Sequence, residues 1–185
     1  MQPLTRTRAI VASSRTLVLD GALGFGIVAI VEERDGQSVC VAEDYLYERP
    51  LLQRISSLVP DQAARSALTG VVVGTGPGSY SGIRVAAAAA VGIAAALGLP
   101  LRESDSDRAL WQAAQRSFSI ALGTRESLEV SESGGKIVAR ETASPHVTQE
   151  ESRGVAACAL ADAAGSAVTQ ITLRYPAPAR GSENQ

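Results

Sequence analysis

The sequence is short of the side chains that carry most enzyme chemistry. Its 185 residues include one histidine (His146), one lysine (Lys136), two cysteines (Cys40 and Cys158) and 4% aromatics. A metal site built on two histidines is therefore excluded. A Ser-His-Asp or Cys-His nucleophile would have to use His146, which follows Ser144-Pro145 in a polar stretch that reads as an exposed loop. Peptidase chemistry then has no base and no orienting group. Lys136 follows Gly134-Gly135, a turn rather than a phosphate loop. The cysteines are far apart with no CxxC partner, and read as reduced and buried, which suits the cytosol. A basic surplus is also missing: the net charge is −2 and the pI about 5.5. With so few rings for base stacking, this disfavours strong direct binding of nucleic acid by the chain alone. No secretory signal is legible, because Ala9 to Ala12 is too short for an apolar core. The one long apolar run, Val85 to Leu101, is rich in alanine and broken by Gly92, Gly98 and Pro100. It reads as a core helix and not a membrane span.

What is abundant is alanine, 31 residues, and glycine, 17 residues. Residues 1–15 read as a flexible extension. Thr16 to Asp20 reads as a buried strand, followed by a glycine-marked turn and a second strand over Phe25 to Val31. Asp35-Gly36 is a hairpin signal, with a third strand over Ser38 to Glu43. Pro50 suits a helix start. Leu51, Leu52, Ile55, Leu58 and Val59 form one apolar stripe at helical period before Pro60. A short helix over Asp61 to Leu68 and a strand at Gly70 to Val73 come next, the strand parallel to the first because a helical crossover precedes it. The alanine-rich helix ends at Gly98, a strand follows over Leu99 to Glu103, and Ser104 to Asp107 offers N-caps for a helix through Arg116. The second half reads as three strands (Phe118 to Leu122, Ser127 to Val130, Ile137 to Glu141), a helix over Val155 to Ala164 and a last strand at Ile171 to Leu173. The fold class is α/β.

The segment between the fourth strand and the alanine helix, Gly74 to Gly82, joins a strand, a glycine-rich turn and a helix N-terminus, the ordinary ingredients of an anion site. It carries neither GxxxxGK[ST] nor GxGxxG. It therefore reads either as a tight turn capped by Ser79 or Ser81, or as a phosphate loop formed by Gly76, Gly78, Ser79, Tyr80, Ser81, Gly82 and Arg84 with Asp20 at the end of the first strand. The helix from Val85 to Leu97 has no polar residue, so some element must cover every face of it. Either the Leu51 to Val59 helix does so, or a partner protein covers part of it. The candidate partner surface is Leu51, Leu52, Ile55, Ile83, Ala86, Ala87, Ala90 and Ala94.

Gly76-Pro77-Gly78-Ser79-Tyr80-Ser81-Gly82-Ile83-Arg84-Val85, the small-residue helix after it and Gly98-Leu99-Pro100-Leu101 resemble the signature of the TsaB (YeaZ) family. Ile120 to Arg125 and Ile171 to Pro176 resemble later family motifs in weaker form. The resemblance implies an actin-like, Hsp70-like (ASKHA) two-lobe fold. Its first lobe would span residues 16–103, a reduced second lobe 104–178 and a tail 179–185. It implies a cytoplasmic, non-catalytic subunit for threonylcarbamoyladenosine formation at position 37 of tRNA. Such a subunit pairs with TsaD and TsaE or with itself in isolation, and meets tRNA only through the complex. No intrinsic cofactor or metal is implied, although ATP or ADP could sit at the complex interface. Where the family has Asp-Thr-Ser after its first strand, this chain has Asp20-Gly21-Ala22, without the two hydroxyls. The competing reading is a small actin-like-fold ATPase or phosphotransferase using Asp20 and the Gly76 to Gly82 loop.

Overall fold

The computed structural model describes residues 14–22, 26–44, 49–114, 118–121, 127–133, 136–142 and 153–175. Residues 1–13 of the extension expected over 1–15, the loop with His146, the Gly134-Gly135 turn and everything from 176 onward lie outside these, while Arg15 is already the first residue of β1. The strands are β1 (Arg15–Asp20), β2 (Ile27–Arg34), β3 (Gln37–Glu43), β4 (Gly70–Gly74), β5 (Leu101–Ser104), β6 (Phe118–Ala121), β7 (Ser127–Ser133) and β8 (Lys136–Thr142). The helices are α1 (Leu51–Leu58), α2 (Gln62–Ser66), α3 (Tyr80–Leu97), α4 (Ser106–Ala114) and α5 (Arg153–Ala163).

Five strands form a sheet in the order β3-β2-β1-β4-β5, and β6, β7 and β8 form a second, antiparallel sheet. β1 runs antiparallel to β2 and parallel to β4, and β4 runs parallel to β5. The two-residue turn between β2 and β3 has Asp35 at φ 52° and Gly36 at φ 79°, the left-handed pair that the Asp-Gly signal demands. The expected Leu17-Val18-Leu19 and Val71-Val72-Val73 runs are central strands buried on both faces. That is why they lack polar alternation. Leu17, Leu19, Val71 and Val73 point to one side, where Ile55 of α1 and Ala86, Ala90 and Ala94 of α3 complete a core. Val18 and Val72 point to the other, where Ala109 of α4, Ala156, Ala157 and Leu160 of α5 and Val130 of β7 complete a second.

Local signals set the helix ends. Pro50 is the N-cap of α1, Asp61 caps α2 by accepting the Ala64 N–H at 2.8 Å, and Gly98 closes α3 in the left-handed region at φ 64°. α3 is long and apolar enough to cross a membrane by length and composition alone. In this fold one of its faces is seated on β1 and β4.

One expected element is absent. Ile171 to Leu173 does not form a strand. The chain touches the edge of β5 earlier, through the Val168 N–H to the Leu101 carbonyl (2.7 Å) and a single bridge from Ala167 to Arg102. Beyond that point the Thr172 N–H goes to the Glu103 carboxylate at 3.1 Å instead of to a strand, so no ladder can propagate.

Candidate functional site

The glycine turn sits where β1, β4 and the N-terminus of α3 converge. Asp20, the last residue of β1, is buried and its carboxylate is engaged at both oxygens. Oδ1 accepts the Ala22 N–H at 2.7 Å, and Oδ2 accepts the Ser106 hydroxyl at 2.5 Å. Ser106 Oγ in turn accepts the Gly76 N–H at 3.1 Å, and the Ser106 N–H returns to the Gly76 carbonyl at 3.0 Å. One serine therefore ties the first strand to the glycine turn. The turn also packs backbone on backbone against residues 20–22. A Cβ on Gly74 would lie 1.7 Å from Asp20 Oδ2, one on Gly78 2.1 Å from the Ala22 carbonyl, and one on Gly82 1.9 Å from the Gly21 carbonyl. Glycine is needed here for close approach. Gly76 additionally sits at φ 96°, and the Gly76–Pro77 bond is cis.

Several amides that would cradle an anion are already spent. Those of Gly76, Ser79 and Gly82 go to Ser106 Oγ, the Ala22 carbonyl and Ser79 Oγ. Ser79 is the N-cap of α3, as the turn reading expects. Of the residues proposed as a phosphate loop, Gly76 reaches Asp20 through Ser106 and Gly78 and Gly82 pack on Ala22 and Gly21, whereas Tyr80, Ser81 and Arg84 are exposed. No group of three metal-ligating side chains occurs among the described residues.

Sequence reasoning missed what closes the turn from outside. Arg174 donates its backbone N–H to the Thr75 carbonyl at 2.8 Å, and its guanidinium meets Asp107 at 2.9 Å and Asp105 at 3.0 Å. Burial works against its charge, but Asp107 and Asp105 outweigh it and hold the guanidinium protonated. Tyr175 stacks on Tyr80 with centroids 4.9 Å apart, and its hydroxyl takes the Arg84 Nε–H at 3.2 Å. Arg84 lies 4.1 Å above the Tyr80 ring. The sequence signals were the polar Ser104 to Asp107 run and the Leu173-Arg174-Tyr175 motif. Nothing in one dimension links them, since the partners lie from 67 residues apart (Asp107 and Arg174) to 99 (Thr75 and Arg174). Arg174→Ala leaves Asp107, whose side chain is 2% exposed, without its ion pair. Because Arg174 is itself partly in water, the expected loss is only about 1–2 kcal/mol. Faster amide exchange at Gly76 and Ser79 than at the β1–β4 ladder would register the loosened turn.

The candidate partner residues need a correction. Ile55, Ile83, Ala86, Ala87, Ala90 and Ala94 are at most 8% exposed, and Ile55, Ala86, Ala90 and Ala94 belong to the core on the chain's own sheet. Leu51 is half-buried, and of the eight only Leu52 is well exposed, at 65%. A helix that is apolar all round gives no hint from composition of which face meets the sheet. The free face is the complementary stripe: Ser81, Val85, Ala88, Gly92 and Ala95, spaced at three and four residues, with Val91 beside Gly92.

The sheet order 3-2-1-4-5, with strand 2 antiparallel and helices on both faces, defines an α/β protein of the actin-like type. Residues 51–123 match the sequence profile of the TsaD family, tRNA N6-adenosine threonylcarbamoyltransferase. That segment contains the whole glycine signature, so the resemblance to TsaB (YeaZ) proteins is carried by a family of the same modification system. No curated protein is significantly similar in sequence. Among solved structures, YeaZ from Pseudomonas aeruginosa aligns with a TM-score of 0.46 and 19% identity, over 74% of this chain and 71% of that one. A second, described as an uncharacterized protein with similarity to peptidase YeaZ from Pseudomonas aeruginosa, aligns with the same TM-score and identity over 74% and 70%.

Proposed function

We propose that this chain is a non-catalytic subunit of the tRNA threonylcarbamoyl modification system. It pairs with a TsaD-like subunit through the outer face of α3 together with Leu52. The observation that carries the reading is that face: from Val85 to Leu97 the helix has no polar side chain, yet Val85 is 55% and Val91 47% exposed. An apolar stripe left in water on a helix that is otherwise core is the pattern of a surface awaiting a partner. Small residues at Ala88, Gly92 and Ala95 let another helix come close. The Asp20 carboxylate and the turn amides are used internally, which favours a positioning role over phosphate chemistry. ATP or ADP then belongs to the complex interface, TsaE and tRNA join through the TsaD-like subunit, and the isolated chain pairs with itself. The setting is the cytoplasm.

Titrating this chain against its own TsaD tests the pairing. Val85→Arg places a charge in the buried centre of the interface, where removal from water costs several kcal/mol. Its dissociation constant is expected to rise by at least about 100-fold, near 2.7 kcal/mol. Because Val85 is exposed in the monomer, the stability of the monomer should stay within about 0.5 kcal/mol of the parent. Unchanged affinity for TsaD would reject the assignment of this face. Reconstitution of tRNA modification with TsaD and TsaE, dependent on this chain, tests the system itself.

A further inference from the structure

The two cysteines, far apart in sequence, are brought face to face by the packing of α5 on the edge strand β3. Ser38 Oγ donates to Asp162 Oδ1 at 2.5 Å. Ser38 and Cys40 lie two apart on a strand and share a face, about 6.8 Å along it. Cys158 and Asp162 lie four apart on a helix and share a face, about 6 Å along it. With Ser38 fixed to Asp162 and the two spacings nearly equal, Cys158 falls opposite Cys40. The Cys40 thiol faces the Ala42 carbonyl at 3.6 Å and Glu43 Oε2 at 4.0 Å, and Cys158 is near enough to oppose its ionisation. Both side chains are half-buried, both are free thiols, and both pack against the same cluster with Ala29, Val31 and Ala157.

We propose that Cys40 and Cys158 are an oxidative modification site, a dithiol that closes to an intramolecular disulfide and staples α5 to β3. One thiolate attacks a low-molecular-weight disulfide and expels one thiolate. The second cysteine then attacks the mixed disulfide at the protein sulfur and expels the other. The protein loses two electrons and two protons, and one small disulfide becomes two thiols.

Burial, with Glu43 beside it, pushes the Cys40 thiol up to about 11, and burial raises Cys158 as well, with Asp162 and Glu43 adding to it. The charged groups facing the pair are these two carboxylates, one on each element, and both oppose the thiolate. The attacking form is thus scarce at neutral pH, and the rate should rise about tenfold per pH unit until the thiol titrates.

The test is to incubate the full native chain with oxidised glutathione at about pH 8.5 and digest it without reduction. The expected product is a peptide pair joined through Cys40 and Cys158. It should come with loss of both free thiols and a Tm higher by at least about 5 °C that a dithiol reverses. Cys40→Ser and Cys158→Ser should each take one glutathione and show no rise. Glutathione held on both cysteines without the link would overturn the proposal. So would a disulfide between chains, thiols that react only in denaturant, or a link that lowers the Tm.

Discussion

Arg54→Ala is expected to lower unfolding free energy by about 3 kcal/mol and the Tm by on the order of 10 °C. Arg54 projects from α1 into the space behind β2 and is only 5% exposed. Its Nε lies 3.4 Å from Asp44 Oδ1, and its NH2 donates to the Asp44 carbonyl at 2.7 Å and the Gly26 carbonyl at 3.4 Å. One guanidinium therefore ties the open end of the β2–β3 hairpin, where β2 begins and β3 ends, to α1. Burial lowers its pKa and Asp44 opposes that, so the ion pair is what makes the charge tolerable there. Truncation leaves the Asp44 carboxylate, itself 5% exposed, with Ser57 Oγ at 2.6 Å and Arg49 at 4.0 Å. Those residual partners place the loss at the low end of the range for breaking a buried pair. Arg54→Lys should lose about half as much, because an ammonium keeps a charge for Asp44 but lacks the planar fork that reaches the Gly26 and Asp44 carbonyls. Urea titrations should move the midpoint and leave the slope unchanged. A loss under about 0.5 kcal/mol would mean that the ion pair is structurally idle.

Arg54 also marks the limit of what could be read in one dimension. The apolar stripe of α1 is legible from Leu51 to Val59, and so is the strand order's main feature, since a helical crossover forces β4 parallel to β1. The hairpin turn, the N-cap at Ser79 and the stop at Gly98 follow from local chemistry and appear where that chemistry puts them. The contacts that close the site do not. Ser106 sits within a run that reads as N-cap residues, yet its hydroxyl bridges Asp20 and Gly76. Arg174 follows the expected strand Ile171 to Leu173, where the structure has instead a strap across Thr75. Each depends on a partner far along the chain, and neither polarity nor periodicity encodes that. The orientation of α3 fails for the opposite reason: both faces are apolar, so periodicity fits any rotation. Packing chose Ala86, Ala90 and Ala94 for the sheet because small side chains let the helix sit close to β1 and β4.

Gly82 and Gly92 lie in the same helix, and Gly→Ala is expected to act with opposite signs at the two. By intrinsic propensity alone, alanine is better in a helix by about 1 kcal/mol. At Gly92 nothing lies within 4 Å of the new methyl group, so that gain should appear nearly whole, as about 0.5–1 kcal/mol of added stability. At Gly82 the methyl would stand 1.9 Å from the Gly21 carbonyl oxygen and 3.1 Å from Ser79 Oγ. The obstacle is backbone, and Gly21 cannot retreat freely, because Asp20 beside it is held by Ser106 and by Ala22. Forcing the first turn of α3 off the β1 turn costs about 3 kcal/mol or more, and the helix gain leaves a net loss of about 2 kcal/mol. The N-cap bond from Gly82 N–H to Ser79 Oγ, already 3.3 Å, would lengthen with it. Thermal or urea unfolding of the two variants against the parent reads the sign directly. Equal stabilisation at both positions would mean that the glycine turn does not pack on residues 20–22. The reading of the loop as an internally satisfied joint, rather than an open anion cradle, would then fail with it.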